Sequence, residues 1–280
     1  MRLTPPVTLF RSAALAAAPL ALLLTACTPT DVEGNVGRTT PELSARPALE
    51  NGADSLAWRI VESAGGLDAW HGLRRLRFDF AVVRDTVETF RARHLWDRPT
   101  GRYRVEYPVG QDSTLVALFN VQRFAPSAPE GAAFINGRPL DATPQQERLI
   151  EAHERFVNDS YWLLAPLKLF DPGVRRALAP DSARDAADVL LLSFDGVGLT
   201  PGDRYWLTAD GAGRLMRWSF ALEGGGQGTY RWEEPVRLPT PQGDLLLPTR
   251  KRTAGRAIRT PVHSAEGLPE DVFERPTPVL

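Results

Sequence analysis

One cysteine, Cys27, and two lysines, Lys168 and Lys251, are all that the 280 residues contain of those types. A single thiol cannot close an internal disulfide, so burial and hydrogen bonding must hold the folded part together. The net charge of −1 leaves no basic field to gather phosphates, which speaks against nucleic acid as a partner. The shortage of lysine beside plentiful arginine reads as a GC-rich coding bias rather than a recognition device.

Several chemical signatures are missing too. The sequence has no His-x-x-x-His pair, Gly-x-Ser-x-Gly elbow, Walker loop or Rossmann glycine pattern. Its four histidines, His71, His94, His153 and His263, are scattered and no cysteine can join them as a ligand, so neither a metal nor a cofactor is expected. The run Gly224-Gly225-Gly226 falls between two strand-like segments and reads as a hairpin loop. Glu233 and Glu234 are neighbours on a strand and alternate faces, which does not suit acid and base work on one substrate. Ser160 with His153 and Asp159 is a conceivable nucleophile set, but adjacent Asp159 and Ser160 are expected to point to different sides. No catalytic group is assigned.

The N-terminus is where a definite signal stands. Met1 to Arg11 carries two arginines and no acid, and SAALAAAPLALLL then supplies an apolar run of secretory length, too short to span a bilayer. Leu24-Thr25-Ala26-Cys27 closes that run and resembles the lipobox of bacterial lipoproteins. The resemblance implies cleavage of a leader, residues 1–26, and acylation of Cys27. Each buried methylene of an acyl chain contributes about 0.8 kcal/mol, so several chains make attachment effectively permanent. Thr28, where the enterobacterial sorting rule places aspartate for inner-membrane retention, implies the outer membrane, facing the periplasm. Residues 27–52 are rich in Pro, Gly, Thr and Ser and read as a tether.

The body is expected over residues 53–265, with a tail at 266–280. Leu56, Ile60, Val61 and Ala64 share one helical face, with Asp54 or Ser55 available as cap and Gly65-Gly66 as the stop. Leu76, Phe78, Phe80 and Val82 alternate with Arg77, Asp79 and Ala81, the period of a strand buried on one side. ETFRARHLW and RYRVEY around DRPTG read as a hairpin, and STLVALF, AFINGRPL, VLLLSF, RYWLTAD, RLMRWSFAL, GTYRWEEPVRL and LLLPTRKR as further strands. Thr143-Pro144-Gln145-Gln146 matches a capping box that opens a long helix with Leu149, Ile150, His153, Phe156 and Val157 on one face. Tyr161, Trp162, Leu163 and Leu164, before Pro166 and Pro172, are expected in a connecting segment that forms a lid or rim. The fold class is mainly β (α+β): a curved antiparallel sheet forming a half-open barrel, covered by a few helices.

ESAGGLDAWHGLRRLRF, WDRPTGRYRVEY, NDSYWLLAPLKLFDPGV and YWLTADGAGRLMRWSF together resemble bacterial lipoproteins of the outer-membrane lipoprotein-sorting (LolA/LolB-like) fold, over roughly Ala53 to Arg252. That resemblance implies an incomplete barrel around helices, with an apolar cavity that accepts acyl chains. Seven tryptophans fall largely on the expected strands, and pockets for apolar ligands are lined by such side chains. Trp96, Phe119, Trp162, Leu164, Trp206 and Trp218 are therefore the candidate ligand-binding residues. The expected function is a lipid-anchored periplasmic protein binding a lipid or a lipoprotein's acyl chain. The alternatives are a structural or assembly lipoprotein that docks an envelope protein, and a hydrolase using His153 or His94.

Overall fold

The computed structural model describes residues 46–179, 188–196, 199–200, 202–269 and 271–280. Cys27, the leader and most of the tether lie outside these residues. Among the described residues, no helix is long and apolar enough to cross a membrane.

The body opens with α1 (Gly52–Ser63) and α2 (Gly66–Gly72). Asn51, rather than Asp54 or Ser55, caps α1, its side chain accepting the Asp54 amide at 3.0 Å. Asp54 instead turns inward and receives Arg176 Nε at 2.7 Å; that bond, helped by the Glu50 amide, outweighs the opposing effect of burial and holds the carboxyl below its usual range. The helix stops where expected, because Gly65 and Gly66 take positive φ angles of 108° and 82°.

Six strands follow as a meander: β1 (Arg75–Arg84), β2 (Val87–Asp97), β3 (Arg102–Pro108), β4 (Thr114–Asn120), β5 (Gly131–Ile135) and β6 (Arg138–Pro139). After α3 (Ala142–Leu164) and a 3-10 turn at Ala165–Leu167, a second meander runs through β7 (Val174–Leu178), β8 (Asp188–Phe194), β9 (Arg204–Ala209), β10 (Leu215–Ala221), β11 (Gln227–Thr240), β12 (Gly243–Thr253) and β13 (Arg256–Arg259). A short β14 (Val262–His263) also pairs with β1. The meanders join where β1 pairs with β13, Val82 opposite Ile258, giving one antiparallel sheet whose outer strands are β6 and β7. The sheet is curved and does not close, as expected from the sequence.

Period-two alternation explains the faces. On β2 and β3, His94, Trp96, Tyr103 and Val105 look inward while Leu95, Arg104 and Glu106 look outward. The concave side is occupied by helices: α1 against β7 and β8, α2 against β11 and β12, and α3 against β4, β5 and β12. One core cluster gathers Leu56, Ile60, Leu76, Phe78, Leu163, Leu207 and Leu247; a second gathers Tyr103, Val105, Leu115, Phe119 and Leu149. Fully burying each such Leu, Ile or Phe contributes about 1.5–3 kcal/mol, which is how a fold without a disulfide is held.

Two expectations about α3 need correction. The helix begins at Ala142 after Asp141, whose side chain makes no capping bond, so Thr143 and Pro144 lie inside the first turn. It also continues through Tyr161–Leu164, because Pro166 falls in the following 3-10 turn, where its missing amide breaks no α-helical bond. Leu163 and Leu164 are buried in the first core cluster and form no lid. Strands β7, β13 and β14 were not expected from the sequence, since at five, four and two residues each is too short to show an alternation of its own.

Candidate functional site: an apolar cleft at the root of a hairpin arm

The β11–β12 hairpin is longer than its neighbours can cover. β10 pairs with β11 only as far as Arg231, and β13 pairs with β12 only over Arg250–Thr253. Residues 233–248 therefore project as a two-stranded arm. Its base is pinned to the end of α1: the Leu246 amide donates to Ala64 O at 2.9 Å. Beside it, Gly65 permits an approach so close that a Cβ there would lie 2.3 Å from Asp244 O.

Between the arm, the start of β10 and the end of α1 lies a cleft of about 510 Å³. Its walls include Ala64, Pro166, Leu215, Met216, Trp232, Pro235, Leu246 and Pro248. Met216 is 50% exposed and Leu246 41%, so this apolar lining opens to solvent. The charges at the rim are occupied: Arg214 pairs with Asp210 at 2.8 Å, Arg237 with Asp244 at 2.8 Å, and Glu233 with Arg252 at 3.2 Å. What the cleft offers is thus chiefly apolar surface, at a volume ordinary for small-molecule sites.

Behind Trp232 sits a group the sequence reading passed over. Lys251 is fully buried; its Nζ donates to Pro248 O and to Thr260 Oγ1, both at 2.7 Å, and lies 4.9 Å from the Trp232 ring centre. Burial pushes its amine well below the usual lysine value. A signal was present, because Leu245, Leu247, Thr249 and Lys251 alternate along β12 and all are buried.

The six candidate residues do not form one lining. Trp162 and Trp218 meet, ring centres 4.5 Å apart, and Trp218 reaches Trp232 at 5.9 Å, backing the cleft from inside. Leu164 is buried in the same cluster. Trp96 and Phe119 lie elsewhere, each against Tyr103, at 6.4 and 5.3 Å. Trp206 borders a separate shallow depression with Ser219, Phe220 and Thr229. None of the six is among the residues lining the larger cleft.

The histidines considered for hydrolysis are packed groups. His153 stacks on Phe124, centres 4.3 Å apart, and burial lowers its pKa. His94 is fully buried, stacked on Phe78, with Nδ1 2.8 Å from the Tyr103 hydroxyl and Nε2 3.3 Å from Asp159 Oδ2. Asp159 and Ser160 are both buried, so adjacency did not send one of them to solvent. Among the described residues, no three His, Cys, Asp or Glu side chains are arranged to hold a metal ion.

Several solved structures have backbones similar to this one. A DUF1329 family protein from Desulfovibrio piger ATCC 29098 shares 8% identity at a TM-score of 0.41, covering 79% of this chain and 95% of its own. A putative outer membrane lipoprotein-sorting protein domain from Vibrio parahaemolyticus shares 10% identity at a TM-score of 0.33, covering 71% and 88%. MucB shares 12% at a TM-score of 0.22, covering 79% and 62%. At these identities and TM-scores the likenesses transfer no residue's role to this chain. No family model matches the chain, and no curated protein matches it.

Proposed function

We propose that this chain is a lipid-anchored envelope protein that holds an apolar or amphipathic ligand, a lipid or acyl chain, in the cleft at the root of the β11–β12 arm. The observation that carries the reading is the solvent-open apolar wall of Met216, Leu246, Pro235, Pro248 and Trp232 around about 510 Å³. The helices fill much of the barrel's concave side, so the ligand position moves from the interior to this opening. Trp162 and Trp218 support the wall through Trp232. Acylated Cys27 anchors the protein in the outer membrane facing the periplasm, on the strength of the lipobox. The activity proposed for this wall is binding.

The test is titration of the full chain carrying Cys27→Ala with a fluorescent fatty acid. Saturable binding is expected, weakened at least tenfold by Met216→Glu or Leu246→Glu, since a carboxylate there must be desolvated against the bound chain. Absence of binding by the parent protein, or equal binding by both variants, refutes the cleft as the site.

A further inference from the structure

The outer face of β2–β3 is written in the sequence as a solvent face, yet it holds a buried ion pair. Arg104 and Glu106, two residues apart on β3, are each 0% exposed, and Arg104 Nε donates to Glu106 Oε1 at 2.7 Å. Residues 271–280 bury them. The Arg104 guanidinium donates to three main-chain carbonyls of that segment: Val272 at 2.8 Å and Arg275 at 2.7 Å from Nη1, and Thr277 at 2.6 Å from Nη2. The Glu106 carboxylate accepts two of its main-chain amides, Val279 at 2.8 Å on Oε1 and Leu280 at 3.1 Å on Oε2.

These five bonds read backbone alone. Beside them lies an apolar socket, in which Val272 and Phe273 pack on Leu95 and the Arg102 guanidinium lies 4.8 Å from the Phe273 ring centre. A fork that donates to carbonyls and a carboxylate that accepts amides, set next to a two-residue apolar socket, is the equipment of a peptide-binding surface. Burying that pair is unfavourable unless its remaining donors and acceptors are met, and the docked segment meets them.

We propose that the outer face of β2–β3 is a peptide groove that reads main chain, occupied here by residues 271–280 and able to take the same segment in trans, from a second copy of this chain. The inference is independent of the ligand in the cleft. Specificity resides in the Val272-Phe273 pair and the spacing of backbone groups, because the side chains of Glu274, Arg275 and Thr277 make no bond to Arg104 or Glu106. The segment is thus a strap, joined to the sheet through a stretch at Glu266-Gly267 that is exposed.

The test inserts a specific protease site between Glu266 and Gly267 of the full chain and nicks it after purification. The nicked chain is expected to retain its tail on gel filtration and to exchange it for a dye-labelled peptide of residues 267–280; the uncut chain binds that peptide at least tenfold more weakly. Methylating the peptide nitrogens of Val279 and Leu280 removes both donors to Glu106 and should weaken binding at least tenfold. Alanine at positions 274, 275 and 277 should change it less than threefold. A labelled peptide that fails to bind the folded nicked chain, or a methylated peptide that binds as well as the parent, overturns the proposal. Should nicking unfold the chain, hydrogen exchange on the uncut protein decides: Glu106→Gln must speed exchange at Val279 and Leu280 at least tenfold while β4 amides keep their rates, and unchanged tail rates overturn it.

Discussion

Replacing Lys251 with methionine tests the account of the core most directly, because the two proteins must differ in their dependence on pH. The amine is fully buried and its two bonds go to neutral oxygens, Pro248 O and Thr260 Oγ1. Burial lowers its folded pKa from the unfolded value near 10.5. Between the two values the unfolded chain holds a proton that the folded chain does not, so unfolding takes up a proton and stability rises with pH. The slope for one such proton is about 1.4 kcal/mol per pH unit. Below the folded value the penalty is complete, and above 10.5 it is absent. Lys251→Met removes this slope but also two hydrogen bonds, each contributing about 0.5–1.5 kcal/mol. The wild type should therefore be the more stable protein above about pH 10 by about 1–3 kcal/mol. Its advantage should shrink by about 1.4 kcal/mol per unit as pH falls through the window, and then reverse. Urea denaturation followed by tryptophan fluorescence at intervals from pH 6 to 10.5 gives the difference, and every other titrating group is common to both chains. Parallel curves, or a wild type that loses ground to the variant as pH rises, refute the reasoning.

Two further substitutions probe the inner wall and the arm. His94→Leu removes both the Tyr103 hydrogen bond and the 3.3 Å neighbour of Asp159 Oδ2, leaving that carboxylate, 1% exposed, with only the Asn158 side-chain amide at 2.7 Å on Oδ1, and should cost about 3–5 kcal/mol, whereas Asp159→Leu leaves the imidazole bonded to Tyr103 and should cost about 1–3 kcal/mol; denaturant midpoints in the opposite order contradict the pairing. Gly65→Ala should destabilise by at least about 1–3 kcal/mol, since φ is 108° and its Cβ would lie 2.3 Å from Asp244 O; a neutral thermal shift would mean that the arm is not held there.

Local features of the chain were legible wherever their cause is local. Leu76, Phe78 and Phe80 are buried as their alternation implied, but Asp79 and Ala81 on the opposite face are buried as well, so β1 is covered on both sides over that stretch. Gly101 turns β2 into β3 with φ of 72°, and Asn136-Gly137 turns β5 into β6 with φ of 50° and 79°. The long helix was found, but its extent was not, because Pro166 reads as a breaker several residues earlier than the following 3-10 turn lets it act. The cleft was missed altogether: it brings Ala64, Met216 and Leu246 together, residues joined only by the way β10, the arm and α1 meet.

By itself, then, the sequence determined the mainly β class, the faces of the individual strands, the turns that separate them and the lack of any disulfide, because each follows from side-chain period, φ preference or composition. Tertiary structure alone decided what covers those faces. The helices that fill the concave side leave the apolar opening beside the arm, Lys251 is closed in behind Trp232, and Arg104 and Glu106, polar residues on an outward face, are buried because residues 271–280 fold back over them. A strand's alternation states which side chains share a side; only the rest of the chain, arriving from far along the sequence, states whether that side meets water.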